Sequence, residues 1–201
     1  MASQVEVVNA ALTLLGEARI TSIDDDVKAA RESKALLDIN RDSLMAGYNW
    51  SFAMARASLI ASADAPAFGY DNEFPLPSNP YCLRILQVGD TFVGVDMANY
   101  RSSSTEEFQI EGRSILTNMS APLHLRYVRR VTDTAQWSPN FVKAFAAYMA
   151  VDLAEPLTQS DTKRGRALDA LKREISLAVR ANAIELPPKQ LADDSWLMSR
   201  L

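Results

Sequence analysis

The chain has 201 residues, 48% apolar and 23% charged, which suits one domain or two small ones with a buried core and excludes a disordered tail, a collagen and a disulfide scaffold. Cys82 is the only cysteine and His124 the only histidine, so an internal disulfide, a multi-thiolate zinc site and paired-histidine metal sites are excluded, and a reducing compartment is expected. With 25 acidic against 21 basic residues the net charge is -4, which does not mark a general nucleic-acid binder.

Met1-Ala2-Ser3-Gln4 lacks a basic stretch followed by an apolar run, and no segment approaches the ~20 apolar residues of a membrane span. A cytoplasm-made protein with no membrane partner is expected. Ser3 to Leu15 reads as a helix: Ser3 and Glu6 have capping-box spacing, Val5, Val8, Leu12 and Leu15 recur at helical steps, and Gly16 stops the run. A second helix is expected to begin near Asp24-Asp25-Asp26, whose carboxylates suit the positive end of a helix dipole. Ala30, Leu37, Leu44 and Tyr48 form its stripe, Gly47 loosens its end, and Trp50, Phe52 and Met54 follow.

From about residue 57 to 134 the texture changes. Pro66, Pro75, Pro77 and Pro80 cluster, and two-residue alternation replaces helical periodicity. Phe74 and Leu76 suggest an edge strand, and Leu83 to Val88 a compact apolar one. Phe108 and Ile110 alternate with Gln109 and Glu111 before a Gly112-Arg113 hairpin turn and a return strand at Ile115-Leu116. Leu123, Leu125 and Tyr127 share one face of the next strand, with His124, Arg126 and Val128 on the other.

Helix returns at Ser138, an N-cap followed by Pro139, and runs through Phe141, Phe145, Tyr148 and Met149 towards Pro156. It is apolar nearly all round from Ala144 to Val151 and so should be buried on most sides. A last helix starts near Ser160-Asp161 with Leu168, Leu171, Ile175 and Val179 as its stripe, and Pro187-Pro188 forbids its continuation. The expected fold is α+β: an antiparallel helical bundle (1–56 and 135–184), an inserted, mostly antiparallel β domain (57–134) and an extended C-terminal tail (185–201).

The last helix concentrates positive charge. Lys163, Arg164, Arg166, Lys172, Arg173 and Arg180 outnumber Asp169 and Glu174, which reads either as a solvated face or as a surface for an acidic partner. Beyond the prolines, Leu191, Trp196, Leu197, Met198 and Leu201 punctuate a polar tail that either folds back on the bundle or docks in another chain's groove.

Catalytic patterns are sparse. A serine triad would have to use His124, which sits in a strand alternation, and there is no G-x-S-x-G, G-x-G-x-x-G or P-loop. Three consecutive aspartates project in different directions and lack EF-hand spacing, so they read as helix capping. Glu106, Glu107 and Glu111 would be candidates for a general acid in a glycan hydrolase. Trp50, Phe52, Phe68, Tyr70 and Phe74 could form a carbohydrate platform but read better as the junction between helices and β domain. Cys82 reads as a small buried apolar residue. No catalytic residue, cofactor or metal site is assigned.

The order of short motifs resembles the tail tubular protein A family, the head-to-tail adaptors of short-tailed phages. Ala11-Leu12-Thr13-Leu14-Leu15-Gly16-Glu17, with Ile20 and Ser22-Ile23-Asp24-Asp25 behind it, is similar to the family's start. Arg41-Asp42-Ser43-Leu44 followed by Trp50-Ser51-Phe52-Ala53-Met54-Ala55-Arg56 resembles its arginine-acid and W-x-F-A-x-x-R signature, the most specific match. Phe74-Pro75-Leu76-Pro77, Cys82-Leu83-Arg84-Ile85-Leu86, Leu125-Arg126-Tyr127-Val128 through Val131-Thr132-Asp133, Phe141, Ala144 to Leu153 and Leu157-Thr158-Gln159-Ser160 continue it. The resemblance spans about residues 8–180 and leaves the tail beyond Pro188 uncovered.

The resemblance implies a structural protein of the virion, at the head-tail junction, forming a ring of twelve copies under the portal and passing DNA through its lumen without sequence-specific binding. Expected partners are further copies of the chain, the portal protein and a nozzle-type next tail component. The bundle is expected to form the ring and the β domain to face the next tail component. The basic residues of the last helix and the apolar residues of the tail are expected to contact the portal. Trp50, Phe52, Arg56 and Phe74 are expected at the structural junction. The rival readings are a tail-associated cell-wall glycan hydrolase and a cellular protein-binding module.

Overall fold

The computed structural model describes residues 2–89, 91–92 and 108–185. The fold is α+β, with four helices and two small antiparallel sheets among the described residues. Helix α1 (Gln4–Leu15) opens with the expected capping box: Glu6 N–H donates to Ser3 Oγ (3.2 Å) and Ser3 N–H donates to Glu6 Oε2 (2.6 Å). Gly16 ends it in the left-handed region at φ 67°, where a side chain would be strained.

Helix α2 (Lys28–Gly47) does not start on the aspartates. Its N-cap is Val27, without a side-chain cap. Asp25 instead closes the preceding turn, accepting from the backbone N–H groups of Thr21 (2.8 Å) and Ser22 (2.9 Å) and the Thr21 hydroxyl (2.9 Å). Asp24 pairs with Lys34 at 2.6 Å and Asp26 with Arg31, so all three carboxylates serve the turn and the flank of the helix. Ala30, Leu37 and Leu44 are buried as expected, while Tyr48 is half-buried.

A short 3-10 turn (Ser51–Ala53) leads directly into strand β1 (Met54–Leu59), so the sheet begins three residues before the expected boundary. Strands β2 (Asn72–Pro75), β3 (Cys82–Val88), β4 (Thr91–Phe92), β5 (Phe108–Glu111), β6 (Ser114–Thr117) and β7 (Leu123–Arg129) follow. They form one sheet of order β1-β7-β3-β4 and another of order β2-β6-β5. The β5–β6 hairpin turns at Gly112, φ 55°, where the sequence placed it.

Helix α3 (Pro139–Thr158) is N-capped by Ser138, whose Oγ accepts from Phe141 N–H at 3.3 Å. It does not stop at Pro156 but carries that proline inside its last turn and closes at Gln159 in the left-handed region. Phe141, Ala144 to Ala147, Met149, Ala150, Leu153 and Ala154 are buried, so its apolar girth reflects contact on several sides. Helix α4 (Asp161–Glu185) packs along α3.

The four-stranded sheet is shared between two cores. Leu86 and Val128 on one face join the helical core, whereas Leu59, Ile85, Val88, Leu123, Leu125 and Tyr127 on the other pack against Phe74 and Ile115 of the three-stranded sheet. The layers are therefore helices, sheet, sheet. The alternation in β7 sends Tyr127 and Val128 into different cores.

Trp50, Phe52, Trp137, Phe141 and Phe145 fasten the helices to the strands. Ring centroids of Trp50 and Phe141, and of Phe52 and Phe141, lie 5.0 Å apart, and Trp137 sits 5.1 Å from Phe141. Trp50 Nε1 donates to Leu44 O and Trp137 Nε1 to Val131 O, both at 3.0 Å, so each indole is buried without stranding its N–H. The expected aromatic cluster is thus divided. Phe74 belongs to the sheet-to-sheet core, Phe68 is 89% exposed, and Arg56 is an exposed residue on β1 rather than part of the junction.

Candidate interface on the last helix

Helix α4 meets α3 through small residues. Ala167, Ala170, Leu171 and Ala178 are buried, with Ile175 packed beside them. The expected stripe of Leu168, Leu171, Ile175 and Val179 is therefore rotated: Leu168 and Val179 face outward, because alanine lets the two helix backbones approach where leucine and valine would hold them apart.

Both ends of α4 are fixed. Near its start Lys163 Nζ lies 3.3 Å from Glu17 Oε1, just beyond α1. Near its end Asn182 accepts from Ser51 N–H (2.7 Å) and donates to Asn49 O (2.7 Å), and Glu185 accepts from the Ser51 hydroxyl. These contacts anchor α4 to the peptide that joins α2 to β1, so its outer face is presented on a rigid support.

On that outer face Arg166, Arg173 and Arg180 recur every seven residues, a spacing that keeps them within about 20° per step on one side of the helix. Leu177 and the 84% exposed Ile184 lie beside them. Arg173 pairs with Glu174 at 3.1 Å, and Lys172 lies 3.9 Å from Asp169. Arg164, Arg166 and Arg180 have no acidic partner among the described residues, while Lys163 is committed to Glu17. Of the six basic residues singled out, the stripe uses three. Leu177 and Ile184 were not picked out from sequence, though their seven-residue spacing parallels that of the arginines.

Leu191, Trp196, Leu197, Met198 and Leu201 lie outside the described residues, as do Glu106 and Glu107. Glu111 is exposed at the end of β5, and His124 is exposed on β7 opposite Ser58. Cys82 is buried, and burial pushes its thiol pKa up to about 11 against the opposing pull of Arg113. Among the described residues no group of three or more His, Cys, Asp or Glu is placed to hold a metal ion, and no helix is long and apolar enough to cross a membrane. The chain matches no family model and no curated protein.

Proposed function

We propose that this chain is a structural head-to-tail adaptor of a short-tailed phage, which assembles as a ring of twelve copies beneath the portal, joins capsid to tail and lets DNA pass. The observation that carries the reading is the outer face of α4, where an arginine stripe borders exposed Leu177 and Ile184 on an otherwise acidic protein. Charged and apolar groups adjoining on a rigid helix suit a protein partner whose surface is acidic with apolar gaps. The motif residues that resemble the adaptor family support it: Trp50, Phe52 and Arg41-Asp42 all lie where helices meet strands.

In this reading α4 and the tail contact the portal, and the sheets face the next tail component. The protein works in the virion, at the head-tail junction, and needs no cofactor. Native mass measurement of the protein alone and mixed with portal particles tests it. A complex carrying twelve copies per portal is expected. Absence of any complex with portal, at concentrations where the protein is folded, would overturn the reading.

A further inference from the structure

Among the described residues the two sheets present four edges, and two of these offer little free backbone. Strand β2 carries Pro75, and Ser62 N–H donates to Glu73 O at 2.7 Å on its open side. Strand β4 is described over Thr91–Phe92 alone. Strands β1 and β5 remain as edges without a backbone partner on their outer side among the described residues.

These two open edges lie on opposite flanks of the sheet pair. The Ser62 contact puts the end of β1 beside β2, whereas a cleft of about 250 Å³ lined by Leu83, Arg84, Ile85, Ile110 and Gly112 puts β5 beside β3. They also carry opposite charge. On β1, Arg56 is exposed and lies directly across from Arg126 of β7, in a cleft of about 580 Å³ that also contains Ser58, Gln87 and His124 and, among the described residues, no carboxylate. Like charges placed opposite each other in a sheet are unfavourable, and among the described residues the hydrogen-bond partner of the Arg126 guanidinium is the Met54 thioether, at 3.0 Å. On β5, exposed Gln109 and Glu111 point to one face, and Phe108 and the 42% exposed Ile110 to the other.

We infer that β5 of one copy adds to β1 of the next, joining the four-stranded sheet of one protomer to the three-stranded sheet of its neighbour. This inference rests on the ring reading. Backbone hydrogen bonds supply the attachment, Glu111 enters the arginine cleft, and Ile110 covers the half-buried Ala55 and Ala57 of β1. Pairing of β1 with a second β1 is opposed by arginine facing arginine, so the contact is head-to-tail and propagates around a ring. The contact between copies moves from the helical bundle, where sequence alone placed it, to the sheets.

The test is a charge exchange. Arg56→Glu and Glu111→Arg, each at an exposed position, should each weaken association between copies by about tenfold or more while the protomer stays folded, Arg56→Glu melting no lower than wild type because it faces Arg126. An equimolar mixture should assemble again, because in a ring that alternates the two variants every junction pairs unlike charges. Copy number is read by sedimentation and native mass, free and on portal-bearing particles. Rings on portal that ignore both exchanges, or a mixture that stays dissociated, would overturn edge pairing and leave the adaptor reading standing. Charge-dependent assembly without portal attachment would do the reverse. A wild-type protein that neither self-associates nor binds portal would overturn both.

Discussion

The Asp42 carboxylate on α2 lies 2.5 Å from the Arg130 guanidinium at the end of β7, while its other oxygen is 2.8 Å from Arg41. One carboxylate therefore bridges a helix and a sheet. Arg41 is nearly enclosed, with 6% of its side chain exposed, and finds its second anion in Asp38 at 2.6 Å. Arg130 continues outward over the Tyr81 ring, 4.3 Å from its centroid, and Arg113 covers the same ring at 4.0 Å. Replacing Asp42 by Asn would leave two neighbouring guanidiniums without their shared anion, and we expect a loss of about 2 to 3 kcal/mol in urea unfolding. Arg130→Gln, at a more open position, should cost about 1 kcal/mol. An Asp42→Asn protein as stable as wild type would mean that water replaces the carboxylate there.

Trp50 is fully enclosed by rings and donates to Leu44 O. Trp50→Ala should lose about 3 to 5 kcal/mol, because the surrounding Phe141 and Phe52 cannot collapse into the space without leaving the α3 face. Phe68→Ala, at an exposed position, should change stability by less than about 0.5 kcal/mol. Chemical denaturation of the two variants side by side checks both statements, and a Trp50→Ala loss below about 1 kcal/mol would contradict the junction described here.

How much of this was legible depended on whether a local pattern had one physical solution. The Ser3–Glu6 box, the Gly112 turn and the alternation of β7 involve neighbours in sequence, and each formed as read. The α4 stripe formed only in part: Leu171 and Ile175 pack inward, but Leu168 and Val179 do not, because large apolar side chains weigh more in a periodicity than alanines, while close packing on α3 selects the alanines. Asp24 to Asp26 suited a helix start by charge alone, yet Thr21 and Ser22 offered Asp25 three donors at once. The Arg41–Asp42–Arg130 bridge and the pairing of β1 with β7 span about 60 to 90 residues and leave no local trace. Of the candidate interface, charge was visible from sequence, but the anchoring of Lys163 to Glu17 and the outward turn of Leu177 and Ile184 were not.

Cys82 should react slowly with iodoacetamide in the native protein at pH 8. With its pKa near 11, only ~0.1% of the thiol is ionised there, and its side chain is buried. The same shift has a sign in stability. The native thiol holds its proton from its unfolded value of 9.0 up to about 11, so stability is fully present below pH 9 and falls as pH rises towards 11. Burial raises the Tyr127 hydroxyl in the same direction. Cys82→Ala should therefore flatten the stability profile between pH 9 and 11 relative to wild type, by about 1 to 3 kcal/mol over the window. Parallel profiles for the two proteins would show that the thiol does not carry this dependence.

The arginine stripe of α4 allows partner binding to be separated from folding. Arg166, Arg173 and Arg180 are exposed, and among the described residues only Arg173 has an acidic partner, so Arg→Glu changes at all three should leave the melting temperature within a few degrees of wild type. Attachment to portal-bearing capsids should nevertheless fall by about tenfold or more, and the residual binding should lose its sensitivity to salt, since charges across an interface mainly set encounter rate and partner choice. Deleting residues 187–201 tests the part proposed for the tail in the same attachment. A folded protein that no longer attaches is expected if Trp196 and its apolar neighbours anchor the contact, because buried aromatic anchors carry most of an interface's energy. If both variants attach normally, the portal meets a different face of the molecule. If only the deletion attaches normally, the arginine stripe with Leu177 and Ile184 is the whole contact.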